Sequence, residues 1–537
     1  MKLKGMSVSS GIAIGPVLVL KDAYKQIERT TVKDAEAEIV RVRTAIDETK
    51  KQVSAVYNKT KKEVGEEGAA IFAGHQMILE DEDYLDAIHH MIRTEMINAE
   101  CAVSAIGAHF SELFARMDDD YMKARAVDVK DVSDRLVRNL AGQNDMDLTM
   151  TEPSVIVAED LSPSETVQLD RDKVIALVTV HGSTNSHTAI LARMMNIPTV
   201  VGVPVDWKEI HSGMKAIVDG SAGEVIFNPT EAECSKAEER RKEEKLKFCL
   251  LQELKGKESI TTDGRKINIS ANINSVCDVE QALENDAEGI GLFRSEFLYL
   301  EREDFPTEEE QFQAYKQVVQ TMGEKRVIIR TLDIGADKQA DYFNLEKEEN
   351  SALGYRAIRI CLKQTELFKT QLRALFRAAA YGNLAVLYPM IISTQEVDCI
   401  YEIAREAERE LKDAKIPYKV PKQGIMIETP AAVMISDELA EMVDFFSIGT
   451  NDLTQYTLAI DRQNQKIQDF YNPHHKAILR MIKLVVDNAH KCGKWVGICG
   501  ELGADTALTE TFVNMGIDEL SVAPSMVLKV REKVRAI

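Results

Sequence analysis

Charged, amide and thiol side chains recur in the second half of the chain, each close behind an apolar run. The set consists of Arg294, Arg330, Asp333, Glu428, Asn451, Asp452 and Cys499. The planar guanidinium of arginine suits bidentate contact with a phosphate or a carboxylate. Two carboxylates together with phosphate oxygens are ligands that Mg²⁺ prefers, since this ion takes few protein groups and keeps substrate oxygens and water. The set therefore indicates a site for a small phosphorylated acid held through a metal ion.

Each member alone has a simpler explanation. A single arginine or glutamate behind a strand usually forms a surface ion pair, and a lone cysteine usually packs as a small apolar residue. The residues together are stronger evidence for a functional site than any one of them, because the apolar runs define the strands independently of the polar residues. Cys499 is the weakest member, although Gly497 and Gly500 flank it and Glu501 is close in the sequence.

A separate candidate is His187, in the segment GSTNSHTAILARMMNIPTVVG. Glycine and small polar residues before it indicate a loop, and residues 188–195 are predicted to form a helix that begins there. The N-terminus of a helix offers free N–H groups and a positive dipole end to an anion. His187 is therefore a candidate to carry a transferred phosphoryl group, with Arg193 able to pair with the added charge. The simpler alternative is a histidine that caps or packs the start of the helix.

The elements that must position the first set alternate regularly between strand and helix. Strand cores are predicted at INISANI, GIGLF, RVIIR, LAVLYPM, QGIMI, DFFSI, KWVGI and ELSV, with helices such as EEEQFQAYKQVVQTM between them. This alternation over residues 259–537 predicts a (β/α)₈ barrel, in which polar residues behind the strands meet at one mouth. A doubly wound open sheet is the alternative, but no GxGxxG turn supports a dinucleotide site.

Three further regions are distinguished by their residue patterns. Residues 22–143 place apolar residues at helical spacing between charges, and they predict an inserted bundle of amphipathic helices. Residues 1–21 and 144–230 are rich in short apolar runs, and together they predict a compact α/β domain that carries His187. Residues 231–258 are dense in both charge signs and predict a linker helix.

Composition limits the class of protein. The chain has 87 acidic and 66 basic residues, a formal net charge of −21 and a pI near 5.1. So acidic a surface argues against nucleic-acid binding and against docking on anionic lipid. No uncharged apolar run approaches the roughly 18 residues that a membrane-spanning helix needs. The eight cysteines form no CxxC pair. We therefore expect a cytoplasmic enzyme with free thiols.

Several motifs resemble those of the phosphoenolpyruvate-utilising enzymes, and within them the enzyme I family of the bacterial sugar phosphotransferase system. The run DFFSIGTNDLTQYTLAIDR is similar to that family's barrel signature, and GLFRSEFLYL, VIIRTLDIGADK, GIMIETPAA and GICGEL resemble its other barrel blocks. GSTNSHTAILAR resembles the phosphohistidine block. EEGAAIFAGHQMILEDEDYLDAI and DVKDVSDRLVRN are similar to the helical insertion that binds the small carrier protein HPr. The resemblance covers nearly the whole chain.

The resemblance implies a role for each matched residue. Phosphoenolpyruvate would be bound by Arg294, Arg330, Arg356, Asn451 and Arg462. Glu428 and Asp452 would hold Mg²⁺. Cys499 would protonate enolpyruvate to pyruvate, and His187 would take the phosphoryl group and pass it to a histidine of HPr. The resemblance also implies a homodimer formed through the barrel, and a swing of the His187 domain about the linker.

The sequence departs from the family pattern in three places. Ser183, Thr184 and Asn185 stand where the phosphohistidine block more often has Gly, Arg and Thr. Asn350 and Ser351 replace a common Asn-Pro. Family members usually continue for two more helices beyond the last residue here, so a weaker dimer is expected. A paralogous phosphotransferase and a non-catalytic scaffold that binds HPr remain the alternatives.

Overall fold

A computed structural model describes the chain. It covers residues 1–537 except 21–27, 64–65, 117–119, 143–151, 162–165, 167–168, 170–172, 183–188, 190–191, 194, 196, 301, 303, 336–340, 344, 347 and 463. The chain divides into two compact units, residues 1–247 and 248–537, and each is described by itself. His187 lies outside the described residues, as do Ser183, Thr184, Asn185 and the predicted start of the helix at 188.

An eight-stranded mixed sheet forms the α/β part of the first unit. Its strands are β1 (Lys2–Lys4), β2 (Met6–Ser9), β3 (Ile12–Leu20), β4 (Ser154–Ala158), β5 (Val174–Thr179), β6 (Thr199–Val201), β7 (Lys215–Asp219) and β8 (Glu224–Phe227), in the spatial order β1-β8-β7-β3-β4-β5-β6-β2. Strand β3 pairs in parallel with β4, Val17 opposite Val155, and antiparallel with β7. The N-terminal segment thus joins the α/β sheet, as predicted. Strand β4 is buried along its whole length, which explains its uninterrupted apolar sequence.

The described residues between β3 and β4 form five helices, which confirms the predicted helical insertion. They are α1 (Ala35–Glu63), α2 (Glu66–Ile78), α3 (Glu82–Glu95), α4 (Ala99–Ala115) and α5 (Asp120–Leu140). Their apolar faces bury residues such as Val42, Ile88 and Val132 in a core of their own. The hydroxyl of Tyr84, which is buried in this core, lies 2.7 Å from the hydroxyl of Ser133 and so joins α3 to α5.

The charged segment behind β8 is a helix, α6 (Glu231–Gln252). Ala237 packs with Ile12 and Ile217 of the α/β sheet, and Arg240 lies 2.8 Å from Asp219. The helix ends at Gln252, before residue 258, the predicted end of the linker, and residues 253–256 form a turn in which Gly256 has a φ of +74°. That left-handed conformation is accessible to glycine without a steric penalty.

Eight parallel strands close into a barrel in the second unit, which confirms the predicted (β/α)₈ fold and excludes the open sheet. The strands are β9 (Asn268–Ile273), β10 (Ile290–Arg294), β11 (Val327–Arg330), β12 (Leu384–Tyr388), β13 (Lys422–Ile427), β14 (Phe445–Ile448), β15 (Trp495–Ile498) and β16 (Glu519–Val522). Each strand pairs in parallel with the next along the chain, and β16 pairs with β9 to close the barrel. Every predicted strand core overlaps one of these strands.

Helices surround the barrel. They are α7 (Asp278–Glu284), α8 (Glu308–Met322), α9 (Ile358–Lys363), α10 (Thr365–Ala379), α11 (Thr394–Asp413), α12 (Pro430–Met434), α13 (Ser436–Met442), α14 (Thr450–Leu458), α15 (Lys476–Lys491), α16 (Thr509–Met515) and α17 (Val527–Arg535). Helix α8 covers the predicted residues 308–322 because Thr307 and Glu310 form a reciprocal capping box at its start.

Aromatic and charged residues fill the amino-terminal end of the barrel. The rings of Phe445 and Trp495 stack with centroids 4.5 Å apart, and the guanidinium of Arg326 lies 4.0 Å above the Trp495 ring. Arg326 also pairs with the buried Glu519 at 2.5 Å. This group packs the amino-terminal end of the barrel, whereas ligands of such barrels bind at the carboxyl ends of the strands.

None of the described helices combines the length and the apolar character that crossing a membrane requires.

Candidate active site

A cavity of about 390 Å³ lies at the carboxyl ends of the barrel strands. It is lined by every barrel residue for which a role was predicted except Glu428: Arg294, Arg330, Asp333, Arg356, Asn451, Asp452, Arg462 and Cys499. These residues come from strand ends, loops and the start of a helix that are far apart in the sequence. They converge because parallel strands of a closed barrel all end on the same side. The structure therefore brings the predicted set together, although the role of each member stays a prediction.

Two arginines in the cavity share one carboxylate. Nη1 of Arg330 lies 2.8 Å from Oδ2 of Asp333, and Nη2 of Arg356 donates to Oδ1 of the same residue at 2.8 Å. Arg330 is the last residue of β11 and Asp333 follows three residues later, whereas Arg356 comes at the end of the long loop that follows. All three side chains are almost completely buried. Asp333 therefore ties the two ends of this loop together.

Glu296 is a further acid in the cavity, and the sequence did not single it out. It follows Arg294 by two residues in GLFRSEFLYL and pairs with Nη2 of Arg330. Burial disfavours the charged form of Arg330, but the negative charges of Glu296 and Asp333 outweigh this effect and raise the pKa of the guanidinium. Arg294 differs, because burial and the positive charge of Arg330 lower its pKa. Arg294 donates to Oδ1 of Asn274 at 2.6 Å.

Glu428 lies directly behind β13 and only 1% of it is exposed. Its Oε1 accepts a hydrogen bond from the backbone nitrogen of Met390 at 2.7 Å. Its Oε2 is buried without a hydrogen-bond partner among the described residues. Burial, reinforced by the negative charges of Asp452 and Asp333, raises the pKa of the Glu428 carboxyl well above its usual range. A buried oxygen that lacks a partner is costly, and a cation would remove that cost.

The carboxylate chemistry around Glu428 fits a magnesium ion better than a fully protein-bound metal. Within the described part of the chain, no three His, Cys, Asp or Glu side chains are arranged to hold a metal ion by themselves. Glu428 and Asp452 supply two carboxylates, and Asp452 borders the cavity in the first turn of α14. Mg²⁺ typically takes one or two carboxylates together with substrate phosphate oxygens and water. The residues present therefore fit this ion.

Asn451 and Glu501 hold each other through two hydrogen bonds. Nδ2 of Asn451 donates to Oε1 of Glu501 at 3.1 Å, and the backbone nitrogen of Glu501 donates to Oδ1 of Asn451 at 3.0 Å. The pair joins the loop behind β14 to the loop behind β15, which carries Cys499. Both residues border the cavity, so the contact fixes the amide that was predicted to bind substrate.

Cys499 is buried, with 3% of its surface exposed, and its thiol donates to the carbonyl oxygen of Ile448 at 3.6 Å. Burial raises the pKa of the Cys499 thiol to about 11, an effect that the negative charge of Glu428 reinforces. The thiol therefore carries its proton at neutral pH. That state suits a proton donor and not a thiolate nucleophile.

The remaining predicted residues differ in how firmly they are held. Arg462 is exposed, and its backbone nitrogen donates to the side chain of Gln455 at 3.2 Å. Tyr456, which the sequence did not indicate, accepts a 3.4 Å hydrogen bond from Arg356 and donates to the carbonyl oxygen of Ala352 at 2.5 Å. Ser351, which stands in place of the proline of the Asn-Pro pattern, borders the cavity.

Three family models match the chain. The model described as "PEP-utilising enzyme, PEP-binding domain" matches residues 250–537, the one described as "PEP-utilising enzyme, N-terminal" matches 4–125, and the one described as "PEP-utilising enzyme, mobile domain" matches 150–223. The first of these covers more than half of the chain and includes the whole barrel and every residue of the cavity.

Relatives similar over almost the full length are proteins named phosphoenolpyruvate-protein phosphotransferase. That of Priestia megaterium is 41% identical, over 99% of this chain and 94% of the relative. That of Bacillus subtilis (strain 168) is also 41% identical, with the same coverage. That of Haemophilus influenzae is 42% identical, over 99% of this chain and 93% of the relative. Identity at this level over this length indicates a common fold and a common family.

Proposed function

Since the chain belongs to the phosphoenolpyruvate-utilising enzymes, as a phosphoenolpyruvate-protein phosphotransferase of the enzyme I type, we propose that it transfers the phosphoryl group of phosphoenolpyruvate through His187 to a histidine of HPr and releases pyruvate. The observation that carries the proposal is the cavity at the barrel mouth. It joins four arginines and a protonated thiol around about 390 Å³, and the buried Glu428, whose Oε2 has no partner among the described residues, follows one of the strands that end there. These are the groups that binding a phosphorylated enol acid and protonating its carbon require.

The arginines bind the substrate. Phosphoenolpyruvate has a phosphate and a carboxylate, and each suits the planar fork of a guanidinium. Four arginines border the cavity, namely Arg294, Arg330, Arg356 and Arg462. Asn451 adds an amide whose orientation Glu501 fixes. Because most of these groups are held in place before substrate arrives, little reorganisation is needed during the reaction.

The balance of charge supports a need for magnesium. The described residues that border the cavity include five carboxylates, namely Glu296, Asp333, Asp452, Asp461 and Glu501, and the buried Glu428 is a sixth. The acids thus outnumber the four arginines, which disfavours a multiply charged anion. We propose that Glu428 and Asp452 hold Mg²⁺, which when bound neutralises phosphate charge. Binding of phosphoenolpyruvate should then depend on the ion.

Two steps follow for this chain's own residues. A ring nitrogen of His187 attacks phosphorus, the bond between phosphorus and the bridging oxygen breaks, and the enolate of pyruvate leaves with the electron pair. Cys499 then gives its proton to the terminal carbon of the enolate, and the thiolate regains a proton from solvent. The arginines stabilise the transferring phosphoryl group, and the raised pKa of Cys499 keeps its proton available.

The second half of the reaction takes place on the first unit. We propose that the helices α1–α5 bind HPr, because their sequence resembles the insertion that binds this carrier in the family. His187 must reach both the barrel and HPr, so its domain must move, and we place the hinge in the linker at residues 231–258. The packing of Ala237 and Arg240 on the α/β sheet supports a pivot C-terminal to them in α6.

Oligomeric state and location belong to the same proposal. We propose a homodimer formed through the barrel, and large apolar side chains exposed on that unit, among them Leu353, Met434 and Phe470, support such a contact. All eight cysteines are free thiols, which fits a reducing cytoplasm. Sedimentation over a range of protein concentrations, with and without Met434→Glu, tests the dimer.

The relay is tested by the intact mass of the protein after incubation with phosphoenolpyruvate and Mg²⁺. We expect a gain of one phosphoryl group that acid removes and that HPr discharges. His187→Ala should abolish the gain while Mg²⁺-dependent binding of phosphoenolpyruvate remains. His181→Ala is the matched control, because this exposed histidine is six residues away and the proposal gives it no role. An adduct that persists in His187→Ala would overturn the relay, and so would its absence in the unchanged protein.

A further inference from the structure

Asp333 holds two arginines, but the two depend on it unequally. Arg330 also pairs with Glu296, so it keeps one carboxylate contact if Asp333 is neutralised. Arg356 pairs only with Asp333 among the acids described in the structure. Within the described ranges, its other side-chain hydrogen bond is the 3.4 Å one to the hydroxyl of Tyr456.

A second observation shows how little else restrains Arg356. Its Nε is buried without a hydrogen-bond partner among the described residues. The next residue, Ala357, has a φ of +52° in a conformation that non-glycine residues rarely adopt. The backbone there is held by the hydrogen bond from Ala357 to the carbonyl oxygen of Ile334, one residue after Asp333. Both the backbone and the side chain at 356–357 are therefore tied to residues 333–334.

We propose that Asp333 is the positioning residue of Arg356, which it aims at the phosphoryl group of bound substrate, while Glu296 keeps Arg330 in place without it. The inference rests on the proposed function. Asp333 accepts from Nη2 of Arg356, which leaves Nη1, apart from its long contact to Tyr456, able to donate to another acceptor. An anion in the cavity, which Arg356 borders, can then accept a hydrogen bond from this nitrogen.

The proposal predicts different effects on the affinity for phosphoenolpyruvate and on the rate of phosphoryl transfer. Arg330 and Arg294 hold the substrate in its ground state, and Glu296 and Asn274 restrain them independently of Asp333. Loss of Asp333 should therefore leave the Kd for phosphoenolpyruvate within about threefold of the original. The rate of phosphoryl transfer should fall about 10- to 100-fold, because a misplaced charged donor stabilises the transition state of the transfer less than a well-placed one.

The first experiment compares Asp333→Asn, Arg356→Ala and the double variant. Transfer to His187 is followed by intact mass in single turnover, and Kd is measured by calorimetry with Mg²⁺ in the His187→Ala background. If Asp333 acts through Arg356, the double variant is no slower than Arg356→Ala. Rate losses that multiply would overturn the proposal. Glu519→Gln is the matched control, since it neutralises an equally buried acid paired with an arginine at the other end of the barrel.

Chemical rescue distinguishes a positioning role of Asp333 from a merely structural one. Guanidinium chloride at millimolar concentration should restore part of the transfer rate of Arg356→Gly, because Asp333 can hold the free cation in the vacated place. The same salt should not restore Arg356→Gly combined with Asp333→Asn. Equal rescue in both, or a thermal transition of Asp333→Asn lowered far more than that of Glu519→Gln, would contradict the positioning role. Failure of the unchanged protein to form any adduct would instead count against the proposed function.

Discussion

The backbone nitrogen of Met390 donates a 2.7 Å hydrogen bond to Oε1 of Glu428, and Met390 makes it with a φ of +60°. A methionine in the left-handed region is strained, and such strain persists only where neighbouring structure holds it. The contact fixes one carboxyl oxygen of Glu428 and leaves the other, Oε2, unpartnered. The orientation of this acid is therefore set before any ligand binds.

Glu428→Gln should abolish Mg²⁺-dependent binding of phosphoenolpyruvate without lowering the stability of the metal-free protein. Gln keeps the acceptor for Met390, and it replaces an unpartnered buried acid by an amide. We expect a metal-free free energy of unfolding that is unchanged or higher by about 1 kcal/mol. Calorimetry with and without Mg²⁺ measures the loss of phosphoenolpyruvate binding. Thermal unfolding of the metal-free protein measures the change in stability. Retained Mg²⁺-dependent binding would remove Glu428 from the metal site.

Cys499→Ala should bind phosphoenolpyruvate normally and turn over slowly, because no proton donor then completes pyruvate. We expect a loss of about 100-fold in turnover, the usual contribution of a positioned acid. Pyruvate release, coupled to lactate dehydrogenase, is the measurement. Cys399→Ala, at an exposed thiol on α11, is the control and should turn over like the unchanged protein. Unchanged turnover in Cys499→Ala would remove Cys499 from the mechanism.

The raised pKa of Cys499 also predicts a pH dependence of stability. The thiol ionises near 9 in the unfolded chain but at about 11 in the fold, so rising pH favours the unfolded state between these values. Relative to the unchanged protein, Cys499→Ala should therefore lose less stability on going from pH 8 to pH 10. The difference should reach about 1 kcal/mol, given 1.4 kcal/mol per unit of pKa. Denaturant unfolding of the barrel at the two pH values checks this, and parallel curves would contradict it.

Glu501→Ala should weaken substrate binding by freeing Asn451, whereas Glu501→Gln should not. Gln retains the carbonyl oxygen that accepts from Nδ2 of Asn451, and the second bond uses the backbone of residue 501. We expect the KM for phosphoenolpyruvate to rise about 3- to 10-fold in the alanine variant, as for one hydrogen bond of about 1 kcal/mol. Steady-state kinetics of both variants distinguishes positioning from charge, because equal losses would mean that the charge of Glu501 matters.

Arg531→Ala should destabilise the barrel strongly. Its guanidinium is 1% exposed, pairs with Asp286, and donates to Oγ of Ser259 and to the carbonyl oxygen of Leu254. Removing one partner of such a network costs about 3–5 kcal/mol. Arg535→Ala, at an exposed position on the same helix, should cost less than about 1 kcal/mol. Denaturant midpoints of the barrel transition test this, and equal midpoints would show that α17 does not depend on Arg531.

The barrel could be predicted from the sequence because parallel strands buried on both faces are continuous apolar runs. Most residues at the barrel mouth could then be predicted as well, since they lie at or just behind the end of a strand. The ion pairs could not be predicted in this way. Glu296 lies in a recognised motif, but its contact with Arg330 depends on two side-chain conformations. Arg356 returns to the cavity through a long loop whose path no spacing rule gives. Glu428 follows the end of β13 as predicted, but its burial and its hydrogen bond from Met390 depend on the neighbouring loop and could not be predicted.

Because Trp495 stacks on Phe445 beneath Arg326, its fluorescence emission can report the state of the barrel. The chain has two tryptophans, Trp495 in the barrel and Trp207 in the first unit. With Trp207→Phe, the remaining emission comes from an indole held against a cation and a parallel ring, and it should shift when that end of the barrel opens. With Trp495→Phe, the signal comes from Trp207, which packs against the core of the α/β domain. A pair of single-tryptophan variants would therefore report the melting of each unit in one intact chain.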